Sequence, residues 1–198
     1  MNSSGTSFLT TRNVVYLAIL TALLVVLNLL SVVFKVITNI NLTLIPIVIG
    51  ALLLGIRGGL ILGSISGIMT FVFGVTGVDA FTNYLFINHP VLTFLTCTVK
   101  IIAAAVLGAV VYNLLKDKNK YLATFLAAAT VPIVNTFIFI VGALTMYGTF
   151  FVLSAELGVS VMYYLIILCA GLNFLIELGI NLVVAPAIHT VIRVLEKA

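Results

Sequence analysis

Long apolar runs alternate with short polar connections along the whole chain. Residues 14–34 and 101–115 are predominantly apolar on all sides of a helix, whereas a strand of a membrane barrel alternates apolar and polar positions over about ten residues. A helix needs about 20 such residues, at a rise of 1.5 Å each, to cross the hydrocarbon core. The pattern therefore predicts an all-α integral membrane protein.

The apolar runs divide the chain into six predicted transmembrane helices. These helices cover residues 13–34, 44–54, 60–74, 91–115, 121–146 and 161–195. A glycine-rich turn at 55–59 separates the second helix from the third. Longer and more polar connections lie at 35–43, 75–90 and 148–158. Because six helices with short loops use up the length, we predict a single transmembrane domain over residues 1–198 and no separate soluble domain.

Charged residues are scarce, at 7% of the chain against about 25% in a soluble domain. Apolar residues make up 63%, and the mean hydropathy is +1.37. So few charges cannot cover a soluble globule, so most of the exterior must face lipid. The net charge of +4 includes no basic run on a soluble face, which argues against nucleic acid as a partner.

The basic residues fall mainly on one side of the predicted membrane. With both termini inside, the outer loops hold only Lys35, and Lys100 lies within a helix. The inner segments hold Arg12, Arg57, Lys116, Lys118, Lys120, Arg193 and Lys197. The positive-inside rule therefore predicts that both termini are cytoplasmic. The three longer polar connections then lie outside.

Small residues recur at four-residue spacing, which places them on one face of a helix. Ala18 and Ala22 do so in the first predicted helix. A longer stripe consists of Gly55, Gly59, Gly63 and Gly67. Such stripes let helices approach closely. Packing within the chain is the ordinary explanation for most of them, and the spacing alone identifies no partner.

Polar side chains interrupt the later apolar helices. Lys100 lies about 13 Å into its helix at 1.5 Å per residue, and Asn135 and Asn173 reach a similar predicted level. Glu177 lies one turn deeper than Asn173 and shares its helix face. Ionisable groups at such depth cost at least ~2.5–3.5 kcal/mol and should face a cavity or a partner. Two explanations remain open: a structural Lys100–Glu177 pair, or a ligand pocket.

No catalytic motif accompanies these residues. The sequence contains no GxxxxGK[ST] phosphate loop, no HExxH, no GxSxG and no Cys/His metal spacing. Cys97 and Cys169 lie inside apolar runs, which favours packing over a disulfide or a metal site. We therefore predict a protein that is not an enzyme and holds no metal or cofactor of its own.

The chain resembles the S component of energy-coupling factor (ECF) transporters, the vitamin-capturing subunits of bacteria and archaea. The resemblance covers nearly the whole chain: its size, the six helices, the inner termini, the Ala18-xxx-Ala22 pair and the segments 44–55 and 89–93. It implies a multi-pass protein of the bacterial plasma membrane. Ala18 and Ala22 would then pack against a transmembrane coupling subunit. Two ATPase subunits of the same ECF module would use the ATP.

The resemblance also implies a high-affinity pocket under the outer loops and in the outward halves of the last three helices. The candidate substrate-binding residues are Lys100, Asn135, Asn173, Glu177, Asn83, Tyr84, His89 and Tyr147. The sequence looks most similar to the pantothenate-specific members. A carboxylate suits Lys100, and an amide and hydroxyls suit Asn135 and Asn173. Alternatives are pyridoxine, folate or a pyrimidine precursor as substrate, or a solitary secondary transporter.

Overall fold

The computed structural model describes residues 10–34 and 41–197, and within them it contains helices and turns but no strand. The helices are α1 (Thr11–Phe34), α2 (Leu44–Val75), α3 (Ala80–Asn88), α4 (Pro90–Leu115), α5 (Lys120–Thr145), α6 (Tyr147–Glu156) and α7. Helix α7 is composite: α-helical Val161–Tyr163, π-helical Tyr164–Gly171 and α-helical Leu172–Lys197. The predicted all-α class is confirmed.

Within the described residues, five helices are long and apolar enough to cross a bilayer. Their candidate spans are Thr11–Ser31, Leu44–Val75, Pro90–Leu115, Lys120–Thr145 and Val161–Leu195. All five have a mean hydropathy of 2.0 or more, as the long apolar runs in the sequence predicted. These helices supply most of the bundle, and the short helices α3 and α6 lie in the connections between them.

Helix α2 turns sharply at Gly55, where φ is +66° and ψ is −159°. The first arm, residues 44–54, and the second arm, residues 56–75, lie side by side. The hydroxyl of Ser66 donates to Thr43 Oγ1 at 3.4 Å, although a straight helix would separate these residues by about 35 Å. The turn predicted over 55–59 is thus confined to one residue. Glycine allows this because it adopts positive φ without steric cost.

The remaining glycines of the stripe pack the second arm of α2 against the backbone of α4. A Cβ added to Gly59 would lie 3.2 Å from the carbonyl oxygen of Ala105. A Cβ on Gly67 would lie only 2.7 Å from Thr98 Cα. The stripe therefore serves contact between helices of the same chain, because any side chain would push the two backbones apart.

We expect Gly67→Ala to lower the thermal stability of the detergent-solubilised protein, with a loss of roughly 1–3 kcal/mol from overpacking against α4. The matched control is Gly179→Ala. Gly179 is exposed on α7 with no atom within 4 Å of an added Cβ, so the control should unfold at the wild-type temperature or slightly above it. Equal unfolding temperatures for both variants would contradict the close α2–α4 contact.

Helices α3 and α6 occupy the polar connections predicted around 75–90 and 148–158, and their helical structure was not predicted from the sequence. Asp79 caps α3, since its carboxylate accepts from Thr82 N–H at 3.4 Å and from Thr82 Oγ1 at 3.0 Å. The two helices have 9 and 10 residues, too short to cross a membrane. Polar residues mixed into short apolar stretches hid them in the sequence, and their burial against the bundle stabilises them.

Two apolar clusters fill the bundle at different levels. The larger cluster joins α1, α2, α4, α5 and α7 around residues such as Leu24, Ile47 and Ile101. The smaller cluster joins α3, the end of α5, α6 and the start of α7, and includes Met146 and Phe150. Along α4, α5 and α7, polar residues occupy the positions between the two clusters. The site lies at this level.

Candidate functional site

A cavity of about 310 Å³ lies between the two apolar clusters. It is lined by the C-terminal parts of α1, α2 and α5, by the N-terminal parts of α4 and α7, and by α3. The opposite end of the bundle carries the basic residues Arg12, Arg57, Lys116, Lys118, Lys120 and Arg193. The cavity is therefore offset from the basic end toward the end that holds α3 and α6.

The cavity wall is rich in hydrogen-bonding side chains. Its polar members are Asn28, Ser31, Asn41, Thr70, Asp79, Thr82, Thr93, Thr96, Lys100, Asn135, Thr136, Asn173 and Glu177. Aromatic surface comes from Phe81, Phe139 and Tyr164. A wall of this kind suits a small molecule with several hydrogen-bonding groups.

Lys100 brings a positive charge to this wall. Its Nζ lies 5.3 Å from the ring centroid of Phe139, within the range of a cation–π interaction. The structural Lys100–Glu177 pair considered from the sequence stays a hypothesis beside this aromatic contact. The ammonium group is held at the cavity by an aromatic face, which leaves it able to meet a ligand acceptor.

Glu177 joins α7 to the segment that enters α2. The side chain is 6% exposed, and its Oε1 accepts the backbone N–H of Asn41 at 3.2 Å. The neighbouring Leu42 N–H donates to Ser31 Oγ of α1 at 3.1 Å. Residues 41–43 thus close one side of the cavity between α1 and α7.

Residues 41–43, which end the connection predicted over 35–43, lie against the bundle, and Asn41 lines the cavity. The first arm of α2 rises only about 16 Å from its turn at 1.5 Å per residue, so it begins in the interior of the bundle. Residues 35–40 lie outside the described residues. The sequence did not reveal this depth because the segment is polar and short of apolar residues, like an exposed loop.

Two buried carboxamides at the cavity keep unused hydrogen-bonding capacity. Asn28 and Asn135 are 6% and 5% exposed. In the part of the chain that the structure describes, neither Asn28 Nδ2 nor Asn135 Oδ1 has a hydrogen-bond partner. Most buried polar atoms in proteins are satisfied. Unsatisfied atoms at a cavity wall indicate a place where another molecule completes the bonding.

The π-helical segment of α7 forms one side of the cavity. Four of its eight residues line the wall: Tyr164, Leu168, Cys169 and Ala170. Asn173 lies just beyond it, where its Nδ2 donates to the carbonyl oxygen of Cys169 at 2.9 Å. π-helical turns are rare and often occur at functional sites. Here the widened turn places side chains of α7 along the cavity.

A family model described as ECF transporter, substrate-specific component, matches residues 12–189 of the chain. The chain belongs to this family. The resemblance noted from the sequence is thereby confirmed at the level of the family. No curated protein and no solved structure gives a significant match. Members of the family are membrane-embedded transporter subunits, not enzymes, and they work with a membrane-embedded ECF module.

Half of the residues predicted to bind substrate line the cavity of this S component. These are Lys100, Asn135, Asn173 and Glu177. They come from α4, α5 and α7, and the structure brings them to a common cavity although up to 77 positions separate them in the sequence. Intramembrane polarity was the signal that identified all four.

The other four predicted residues lie outside the cavity lining. Asn83 donates from Nδ2 to the carbonyl oxygen of Gly74 at 2.7 Å and so closes the end of α2. Tyr84 is exposed on α3, and Tyr147 is 51% exposed on α6. His89 joins α3 to α4. All four were proposed because outer connections of this family contribute to the pocket, but in this S component α3 turns Phe81 and Thr82 to the cavity, and α6 contributes no lining residue.

Several cavity residues of the S component were not predicted from the sequence. Asn28 and Ser31 of α1 are three positions apart and therefore share a helix face. Thr93 and Thr96 repeat the same spacing on α4. Polar residues that recur at three- or four-residue spacing within an apolar run were the available signal. Asn28, Ser31, Thr93 and Thr96 are uncharged, and only Thr93 and Thr96 lie in the later helices.

Proposed function

We propose that this S component binds one small water-soluble vitamin or vitamin precursor in the cavity, and that pantothenate is its best candidate. The observation that supports the proposal is the convergence of Lys100, Asn135 and Asn173 on one cavity. Lys100 would hold a carboxylate, because a desolvated cation needs a charged or strongly polar partner. The carboxamides of Asn135 and Asn173 would meet amide and hydroxyl groups, which can both donate and accept.

The size of the cavity supports a ligand of vitamin dimensions. Its volume of about 310 Å³ lies at the lower end of the range of about 300–1,000 Å³ for small-molecule pockets. Pantothenate fits this range, and so do pyridoxine and a pyrimidine precursor. A binding screen must therefore include these compounds together with folate.

We further propose six membrane passes with both termini in the cytoplasm. The turn at Gly55 supports counting α2 as two passes, although its first arm is too short to cross the whole hydrocarbon core. The basic residues at one end of the bundle support the orientation through the positive-inside rule. In this orientation the cavity lies in the outer half of the membrane, where it can receive a substrate from outside the cell.

The orientation predicts where engineered cysteines react. Asp117 is exposed in the turn between α4 and α5, and Ala155 is exposed on α6. We expect a membrane-impermeant maleimide to label Ala155→Cys in intact cells and Asp117→Cys only after the cells are opened. The wild-type protein, with Cys97 and Cys169 at the cavity, provides the background. Labelling of Asp117→Cys in intact cells would show that the orientation is inverted.

Transport by this S component would require an ECF module made of a transmembrane coupling subunit and two ATPases in a bacterial plasma membrane. The chain itself would use no cofactor, and ATP would bind only to the partner subunits. We expect uptake of radiolabelled pantothenate in cells that express the S component together with a module, and no concentrative uptake with either alone. Concentrative uptake by the S component alone would instead support a secondary transporter.

A further inference from the structure

Helix α1 has two faces of different character. Leu20, Leu24 and Asn28 are buried on one face, since residues four apart lie one above another on a helix. The opposite face carries Val15 at 48% exposure and Ile19 at 60%. Only the C-terminal part of the buried face reaches the cavity. There it presents polar side chains and no longer presents leucines.

Asn28 is the residue of this face whose bonding is incomplete. Its side chain lines the cavity and is 6% exposed, and its Nδ2 has no hydrogen-bond partner among the described residues. Ser31, one turn further on, already accepts from Leu42 N–H at 3.1 Å. Rotation about χ2 of an asparagine exchanges its nitrogen and oxygen at small cost. The carboxamide of Asn28 can therefore offer a donor or an acceptor to a molecule in the cavity.

Asn135 on α5 lines the same cavity and lacks a donor where Asn28 lacks an acceptor. Its Oδ1 has no hydrogen-bond partner within the described part of the chain. Two incompletely bonded carboxamides on different helices match a ligand that carries hydrogen-bonding groups at two places. Packing does not explain the choice of residue, because leucine of similar size would fill either position without an unsatisfied polar group.

We propose that Asn28 is a substrate-recognition residue, so that α1 contacts the bound vitamin directly through its carboxamide. This inference rests on the proposed function of the cavity. It adds α1 to a site whose predicted residues came from the later helices. One face of α1 thus contacts the ligand, and the other face remains available to a partner. Occupancy of the cavity then acts directly on the helix that carries Ala18 and Ala22.

The test begins with the purified wild-type S component and four probes: pantothenate, pyridoxine, folate and orotate. Thermal-shift and calorimetric titrations identify the probe that binds, and the same probe is then titrated into Asn28→Leu and Asn28→Ala. We expect the dissociation constant to rise by about 10- to 100-fold in both variants, because a ligand group loses its partner in a desolvated site. The alanine variant shows whether the effect of Asn28→Leu comes from a folding defect caused by the leucine side chain.

The matched control is Asn181→Leu. Asn181 is a buried asparagine of α7 at 1% exposure whose Oδ1 also lacks a partner among the described residues, but it does not line the cavity. We expect it to keep the wild-type dissociation constant. Unfolding temperatures without probe show whether each variant is folded.

The outcomes separate this inference from the proposed function. Wild-type binding with loss only in the Asn28 variants supports the inference. Wild-type affinity in a folded Asn28 variant overturns it and leaves the vitamin site intact, with water completing the Asn28 carboxamide instead. An equal loss in Asn181→Leu also overturns it, because the effect would then be general to buried asparagines. Binding of none of the four probes to the wild type overturns the proposed function and this inference together.

Discussion

Replacement of both Ala18 and Ala22 by leucine should abolish assembly with an ECF module and, with it, uptake. Both alanines are exposed on α1. Only 22% of the 18-residue apolar stretch of this helix is buried within the chain. Alanines at four-residue spacing let a partner helix approach closely, and two leucines would hold that helix away. We expect co-purification with the coupling subunit to fall at least tenfold.

A control separates the loss of assembly from general damage. Ala187 is an exposed alanine on α7, and Ala187→Leu adds the same bulk on another helix of the bundle. We expect this variant to assemble as the wild type does. Both variants should keep the wild-type affinity for the vitamin, since none of the three alanines lines the cavity. Normal assembly of the Ala18→Leu, Ala22→Leu protein would remove this face of α1 from the interface.

The substitution Lys100→Met should cause the largest loss of binding if the vitamin is an anion. Truncation of one partner in a buried charged contact costs about 2–5 kcal/mol, which corresponds to a roughly 30- to 5,000-fold rise in the dissociation constant. Lys100→Arg keeps the charge but changes its geometry, so we expect an intermediate loss. Isothermal titration with pantothenate, or with whichever vitamin binds, measures both variants.

The double variant Lys100→Met, Glu177→Leu tests whether Lys100 acts through the ligand or through the fold. Because Lys100 contacts the ring of Phe139, the single variant should remain folded without ligand. The double variant should bind no better than the single one. Recovery of wild-type affinity in the double variant would remove Lys100 from the site and support a structural Lys100–Glu177 pair instead.

The sequence predicted the long helices well because a transmembrane helix needs about 20 apolar residues and little else competes with that signal. Helices α4 and α5 begin within one residue of their predicted positions, at Pro90 and Lys120. The turn of α2 was also predictable, since Gly55 and its glycine neighbours indicate both an interruption of the helix and close packing against another helix. Composition and local pattern are enough for such features.

The short helices and the deep segment 41–43 were not predictable in the same way. They depend on tertiary contacts, such as the bond from Asn41 N–H to Glu177 Oε1, which joins positions 136 residues apart. Polarity normally indicates exposure to water, so a polar segment that enters the bundle resembles a loop. The family resemblance pointed to the outer connections and so to Tyr84 and Tyr147, which are exposed and do not line the cavity.

The candidate site was predictable as far as charge and depth revealed it. Lys100 and Glu177 are conspicuous because ionisable groups are expensive within a membrane. Asn28 carries no charge and lies on the first helix, so its part in the cavity emerged only when the structure placed the C-terminal part of α1 at the cavity. In a membrane protein of this kind, pairs of polar residues on one face of an apolar helix indicate a cavity as well as charged residues do.

Native mass spectrometry of the purified S component with pantothenate, pyridoxine, folate and orotate tests the central claim most directly. The account predicts one bound molecule per chain for one of the probes, and loss of that adduct in Lys100→Met while Asn181→Leu retains it. The absence of any adduct with the wild-type protein, or an adduct that persists undiminished in Lys100→Met and Asn28→Leu alike, would contradict a vitamin site in this cavity.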